Sequence, residues 1–178
     1  MLLLIPIQEK NIVKILKEIN SLNPKISNIV THNVEELESV FQLNINKYKA
    51  FIIVGGDGSV SEVVKYLHNR NDKLLGVLPS GSGNGFAREL GFKKSIHSLI
   101  QDTKKGETLD IDVLSVNGIN CINAAGLGFD SFVAHDFQKR NSRGLKTYVI
   151  SVIKSLFVFK AFRATLFVGQ EKSQVDFR

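Results

Sequence analysis

A chain of 178 residues with 43% hydrophobic and 22% charged content is ordinary for a soluble globular protein and long enough for one good core, or for one domain and part of another. Its single cysteine, Cys121, excludes an internal disulfide framework and fits a reducing compartment. No stretch reaches the roughly 18 apolar residues that span a bilayer, and Met1–Pro6 lacks the basic flank and cleavage site of a signal peptide, so a cytoplasmic protein without a transmembrane segment is expected.

The net charge of +6 is unevenly held: residues 1–138 carry 14 Lys and Arg against 15 Asp and Glu, residues 139–178 carry 9 against 2. A basic tail of this kind suits an anionic partner, whether nucleotide phosphates, an anionic lipid surface or nucleic acid, or else is a solvated basic helix face. The tail has few interleaved aromatics for bases to stack on, so nucleic acid is set aside.

In chain order, Leu2 to Ile5 predicts a short strand, and Ile12, Ile15, Leu16 and Ile19 fall on one face of a helix. A second strand is expected over Lys25 to Val30. Asn33 and Glu36 have capping-box spacing ahead of the helical stripe Val34, Leu37, Val40 and Phe41. Phe51 to Val54 is continuously apolar, as a strand covered on both faces would be. Ser59 and Glu62 suggest a second capping box, opening a helix whose stripe is Val60, Val63, Val64 and Leu67. Leu75 to Leu78 predicts a fourth strand, Asn84 a cap for the next short helix, and Gly91 its C′ residue. This alternation predicts an α/β fold with a doubly wound, mostly parallel sheet over residues 1–106.

After Gly106 the pattern changes. Leu109, Ile111 and Val113 alternate with Asp110 and Asp112, as in a strand. Asn117-Gly118 is a strong hairpin signal, with Ile119 to Ala125 as the returning partner. Gly126 to Asp130 predicts a loop. Leu145, Tyr148, Val149, Val152, Ile153 and Leu156 predict a helix, favoured as a core element over a membrane-facing one. Ala164 to Val168 predicts a last strand. Residues 107–178 are thus expected to be the start of a β-rich second domain that continues in a missing remainder.

The chemistry-bearing residues lie in two loops. Gly55-Gly56-Asp57-Gly58-Ser59 follows a strand and opens a helix, so its amides and the helix start can meet phosphate oxygens. Asp57 would oppose that anion unless it holds a metal or takes a proton, and phosphoryl transfer needs both a magnesium-bound nucleotide and an oriented nucleophile. The bland alternative is an Asp-Gly turn at a helix start. Ser80-Gly81-Ser82-Gly83-Asn84-Gly85 repeats the geometry, with the Ser82 and Gly83 amides as donors. Neither loop has the Walker A ending or the dinucleotide fingerprint. His32, His68 and His97 show no metal-ligand spacing.

Gly55-Gly56-Asp57-Gly58-Ser59 with Glu62, and Pro79-x-Gly81-Ser82-Gly83-Asn84-x-Phe86-Ala87-Arg88, closely resemble the catalytic domain of the diacylglycerol kinase and sphingosine kinase superfamily, nearest its bacterial lipid kinases. The likeness continues through Asp112, Val116-Asn117-Gly118 and Asn123-x-Ala125-Gly126-x-Gly128-Phe129-Asp130. The resemblance implies a two-domain enzyme that moves the γ-phosphoryl of ATP to a lipid hydroxyl with Mg²⁺, at the inner membrane surface. It implies that Thr31, Gly55, Gly56, Gly58, Ser59, Ser82, Gly83 and Asn84 line the nucleotide, and that Asp57 is the catalytic aspartate, bearing on metal or acceptor. It further implies that Asp130 meets the lipid head group and that Arg140, Arg143 and Lys146 contact phosphate. A homodimer is compatible with all of this. The chain departs from the family where an Asn-Pro-x-Ser-Gly loop should follow strand one, since Ile5-Pro6-Ile7-Gln8-Glu9 keeps only the proline, and where Ser59 replaces the commoner threonine. Two other readings compete: a soluble-substrate kinase of the NAD kinase or phosphofructokinase type, which shares a Gly-Gly-Asp-Gly loop, and a non-catalytic nucleotide- or phospholipid-binding module.

Overall fold

The computed structural model describes residues 1–6, 11–22, 26–140 and 145–177. The elements run β1 (Leu2–Pro6), α1 (Ile12–Leu22), β2 (Ser27–Thr31), α2 (Val34–Asn44), β3 (Ala50–Gly55), α3 (Asp57–Leu67), β4 (Leu74–Pro79), α4 (Gly85–Glu89), α5 (Ile96–Lys105), β5 (Leu114–Val116), β6 (Ile119–Cys121), α6 (Phe129–Gln138), α7 (Leu145–Val158), β7 (Phe162–Val168) and β8 (Glu171–Phe177). They form two compact units, Met1–Asn123 and Ala124–Arg178.

In the first unit β1 to β4 make one sheet in the order β2-β1-β3-β4, every pair parallel. The expected α/β, doubly wound parallel fold is what forms. β3 shows why. Its side chains alternate between faces, and both faces are covered. Phe51 and Ile53 join Leu37, Val40 and Phe41 of α2 and Val60, Val63 and Val64 of α3 in one core. Ile52 and Val54 join Ile15 and Ile19 of α1 and Ile96, Leu99 and Ile100 of α5 in the other. Phe51 to Val54 are at most 2% exposed, which is why the run is apolar without a break. In this strand order the chain reverses direction between β1 and β3, so the crevice at the carboxyl ends of the strands opens beside β3, the place where open α/β sheets bind ligands.

Local chemistry sets several boundaries as expected. Asn33 caps α2, its side-chain oxygen accepting the Glu36 N–H at 2.8 Å. The reciprocal half of the box is not made: the Glu36 carboxylate accepts from the His32 backbone N–H at 2.6 Å instead. Gly91, at φ 74°, closes α4 in a Schellman arrangement, with Phe92 N–H donating to Ala87 C=O and Gly91 N–H to Arg88 C=O. Asn117 and Gly118, at φ 50° and 79°, form the type I′ turn of the β5–β6 hairpin, with Val116 opposite Ile119.

Other expectations are corrected. Ser59 is not a cap: α3 begins at Asp57 behind Gly56, with no side-chain cap bond. The cap position falls at Gly56, three residues before Ser59, and Glu62 pairs with Lys65 at 2.7 Å. Residues 107–113 form neither strand nor helix, and the strand pair is Leu114–Val116 with Ile119–Cys121. The helix α5 lies outside the predicted elements; Ile96, Leu99 and Ile100 bury one face and Ser95 caps it through Ser98 N–H at 3.2 Å. The compositional change after Gly106 and the division after Asn123 do not coincide, because Val113 and Ile122 pack on the first core. Lys25, expected to open the second strand, lies outside the described residues, as do Ile7, Gln8 and Glu9 of the departed loop.

The second unit is a helix pair and a hairpin. β7 and β8 pair antiparallel around Gly169, Val168 opposite Glu171. β8 was missed because Glu171–Phe177 is mainly polar on both sides and gives no apolar alternation. The helix α7 is also turned otherwise than expected: Thr147, Ser151 and Ser155, at i, i+4 and i+8, are its buried residues, while Val149, Ile150, Ile153, Leu156 and Phe157 are exposed. Small side chains let α7 lie close to α6, which the aromatic residues on α7 could not. Phe129 and Phe132 of α6 meet Phe159 edge-on, and Phe162 stacks on Phe177 at 5.2 Å. Asp136 of α6 accepts from Arg140 at 2.8 Å and from Lys154 of α7 at 3.2 Å. Among the described residues no helix is long and apolar enough to cross a membrane.

Candidate active site

The carboxyl ends of β3 and β4 deliver the two glycine loops side by side. Gly55 pairs with Pro79 in the sheet, and Ser80 N–H donates to Gly55 C=O at 3.0 Å, so the loops leave together. They then touch backbone to backbone. A Cβ on Gly81 would stand 2.7 Å from the Gly56 Cα, and one on Gly56 would stand 3.0 Å from the Gly81 Cα. Only two glycines allow this approach.

In the first loop the chain enters α3 at Asp57, and Val60 N–H is bonded back to Gly56 C=O. The amides of Asp57, Gly58 and Ser59 therefore have no partner within the helix and carry the positive end of its dipole. Gly58 is exposed, while Gly55 is buried under Ser59. A Cβ on Gly55 would fall 2.5 Å from the Ser59 Oγ.

In the second loop Ser82 and Gly83 are exposed and Asn84 is 5% exposed. Asn84 precedes α4 in the left-handed region at φ 52° but makes no cap bond. Its side chain turns back on the loop, accepting from Gly81 N–H at 2.9 Å and donating to Gly81 C=O at 2.6 Å. Helix α4 is capped from elsewhere: the Asp57 carboxylate accepts Gly85 N–H at 3.0 Å and Phe86 N–H at 2.9 Å. The aspartate thus ties the two loops.

Thr31 is 5% exposed at the carboxyl end of β2, opposite Pro6 of β1. Beside it the His32 backbone N–H holds the Glu36 carboxyl below its usual range. Asn123 is a further residue of the site. Its side-chain nitrogen lies 2.8 Å from where a Gly85 Cβ would be, a position 3.8 Å from both Asp57 oxygens. The Asn-x-Ala-Gly spacing carried no sign of this, because proximity to Asp57 arises only when the β5–β6 hairpin packs on α3 and the core.

In the second unit Asp130 stands in the first turn of α6 and lines an open groove with Gly126, Ser131, Ala134 and His135. Arg140 is engaged by Asp136 through two bonds of 2.8 and 2.9 Å, whose donors hold the Asp136 carboxyl far below the ordinary range. Lys146 is exposed on α7. Arg143 lies outside the described residues.

The donor set of the loops suits a polyphosphate: unpaired helix-start amides and an exposed serine. Among the described residues no three His, Cys, Asp or Glu side chains could hold a metal together. Asp57 alone fits the manner in which Mg²⁺ is bound by one or two carboxylates and the substrate's own phosphates.

Comparison with known proteins agrees in kind. Residues 7–116 match the model of the diacylglycerol kinase catalytic domain. A diacylglycerol kinase of Bacillus subtilis is 38% identical over 86 residues, 47% of this chain and 28% of that protein. A ceramide kinase of Homo sapiens is 23% identical over 161 residues, 78% of this chain and 30% of that one. The crystal structure of a diacylglycerol kinase from Bacillus anthracis superposes with a TM-score of 0.69 at 23% identity, over 98% of this chain and 61% of that one. This chain spans 42%, 30% and 40% of the length of three further curated relatives.

Proposed function

Because the chain belongs to the diacylglycerol kinase catalytic domain family, we propose that it carries the nucleotide-handling part of a lipid kinase that transfers the γ-phosphoryl of Mg-ATP to a lipid hydroxyl. The observation that carries this is the contact of Gly56 with Gly81 at the carboxyl edge of the sheet, which sets two phosphate-facing loops around one carboxylate. The unpaired amides of Asp57, Gly58 and Ser59 and the amides of Ser82 and Gly83 bind phosphate oxygens, with Gly55 and Asn84 shaping the loops behind them and Thr31 walling the nucleotide.

Phosphoryl transfer asks the protein chiefly for position and charge. The acceptor hydroxyl oxygen forms the new P–O bond, the bond from the γ-phosphorus to its bridging oxygen breaks, and the hydroxyl proton passes to the Asp57 carboxylate or to solvent water as ADP departs. Mg²⁺ supplies charge neutralisation on the phosphates, and Asp57 is the residue that would face it or orient the hydroxyl. Residues 1–106 form the nucleotide-binding domain, and residues 107–178 contribute to the lipid-binding one. Asp130 meets the lipid head group, and Arg140, Arg143 and Lys146 contact phosphate. The work is done from the cytoplasmic side at the membrane surface.

Calorimetric titration of Mg-ATP against the 178-residue chain tests the reading, together with transfer of labelled phosphate to extracted lipids, NAD or a sugar phosphate. Saturable nucleotide binding that weakens in Asp57→Ala, with label passing to lipid alone, is expected. No binding, or binding indifferent to Asp57, would sink it; label passing to NAD or sugar phosphate would move the chain to a soluble substrate.

A further inference from the structure

An aspartate in the first turn of a helix would be expected to face the free amides of that same turn. Both oxygens of Asp57 are instead engaged, one by the Gly85 amide and one by the Phe86 amide, 28 and 29 residues further along the chain. These are the first amides of α4, which lack partners within that helix. The residue placed to cap them, Asn84, cannot do so, since its side chain holds Gly81. The cap therefore comes from the first turn of α3.

The surroundings are built for this. Asp57 Oδ2 is 3.2 Å from where a Cβ on Gly83 would be, so the second loop wraps the carboxylate closely. The contact of Gly56 with Gly81 fixes the other side of the loop. Phe86 and Ala87, 5% and 2% exposed, anchor α4 in the core behind it.

We propose that Asp57 is a positioning residue of the second glycine loop, holding Ser82 and Gly83 in phosphate-binding geometry through the amides of Gly85 and Phe86, in addition to whatever it does for a metal. The nucleotide-binding arm of its test rests on the function proposed above; the structural arm does not. Removing the carboxylate frees the start of α4, and the Ser82–Gly83 turn loses one of its two fixed sides. Nucleotide affinity then falls even with no metal present. An aspartate acting only through a metal or a proton predicts no such fall.

Amide hydrogen exchange and metal-free ADP binding, both on the 178-residue chain, decide the matter. In Asp57→Ala the amides of Gly85 and Phe86 should lose protection while those of Phe51 to Val54 keep theirs. Where the alanine variant does not fold, Asp57→Asn serves, since an amide offers one acceptor oxygen and should release one of the two bonds. Affinity for ADP in excess chelator should drop roughly tenfold, as expected for losing a charge-assisted hydrogen bond that orders the loop. Unchanged protection at both amides overturns the proposal. So does unchanged metal-free ADP affinity alongside lost Mg-dependent transfer, an outcome that leaves the kinase reading standing. If the unaltered chain binds no ADP at all, the kinase reading fails, and the exchange of Gly85 and Phe86 still decides the clamp.

Discussion

At the scale of single residues, the glycines of the two loops are not equivalent, and the difference is measurable. Gly81 faces the Gly56 Cα at 2.7 Å from its would-be Cβ, whereas Gly58 has nothing within 4 Å. Gly81→Ala must push backbone against backbone, and overpacking of this kind costs about 1–3 kcal/mol. Gly58→Ala sits in an open helical turn and should stabilise by about 0.4–1 kcal/mol, through a less flexible unfolded chain. Chemical denaturation of the two variants checks the ordering, and equal effects would contradict the packing of the loops. Spacing along the chain pointed to both loops but could not rank their glycines, because the ranking depends on which backbone lies opposite.

At the scale of elements, β3 and α7 are opposites. Phe51 is fully buried between two helices and its neighbours, and Phe157 is 85% exposed on α7. Phe51→Ala should cost about 3–5 kcal/mol, and Phe157→Ser about 0.5 kcal/mol or less, read from urea midpoints. The pairing of α6 with α7 brings a second test. Asp136 has its carboxyl pulled down first by Arg140 and also by Lys154. A native pKa below the unfolded one contributes stability that is full above the ordinary carboxylate range, begins to decline as the pH falls below about 4 and is gone only below the native pKa. Wild type should therefore surpass Asp136→Asn near neutrality, and the gap between their urea midpoints should begin to narrow as the pH falls below about 4, closing only once the folded-state pKa is passed; a gap independent of pH would remove the ion pair from the account. The stripe of α7 was legible as a helix and misread as a core, since periodicity names an apolar face but not its neighbour. Here the hydroxyl seam of Thr147, Ser151 and Ser155 packs more closely on α6.

At the scale of the whole molecule, the apolar cores sit almost wholly in one unit. Among the described residues every buried hydrophobic except Val133 lies within Met1–Asn123. Local opening follows buried apolar contact, so the amides of α6 and α7 should exchange at least about tenfold faster than those of β3, by mass spectrometry of peptic fragments; equal protection would mean one cooperative unit. The parallel sheet, its helices α1 to α3, the turn at Asn117-Gly118 and the closing Gly91 were determined by the sequence itself. Each is encoded by neighbours in the chain: a continuous apolar run, a 3.6-residue stripe, a residue that tolerates positive φ. So was the family, through two loop motifs in tandem. Only the tertiary structure decided that Asp57 caps α4, that Asn84 folds onto Gly81 and that Asn123 stands beside Gly85. The partners of Asp57 and Asn123 lie far apart along the chain: the first meet because β3 and β4 are adjacent in the sheet and deliver both loops to one edge, the second because the β5–β6 hairpin packs on α3. Asn84 is only three residues from Gly81 and turns onto it where Asp57 has taken over the cap of α4.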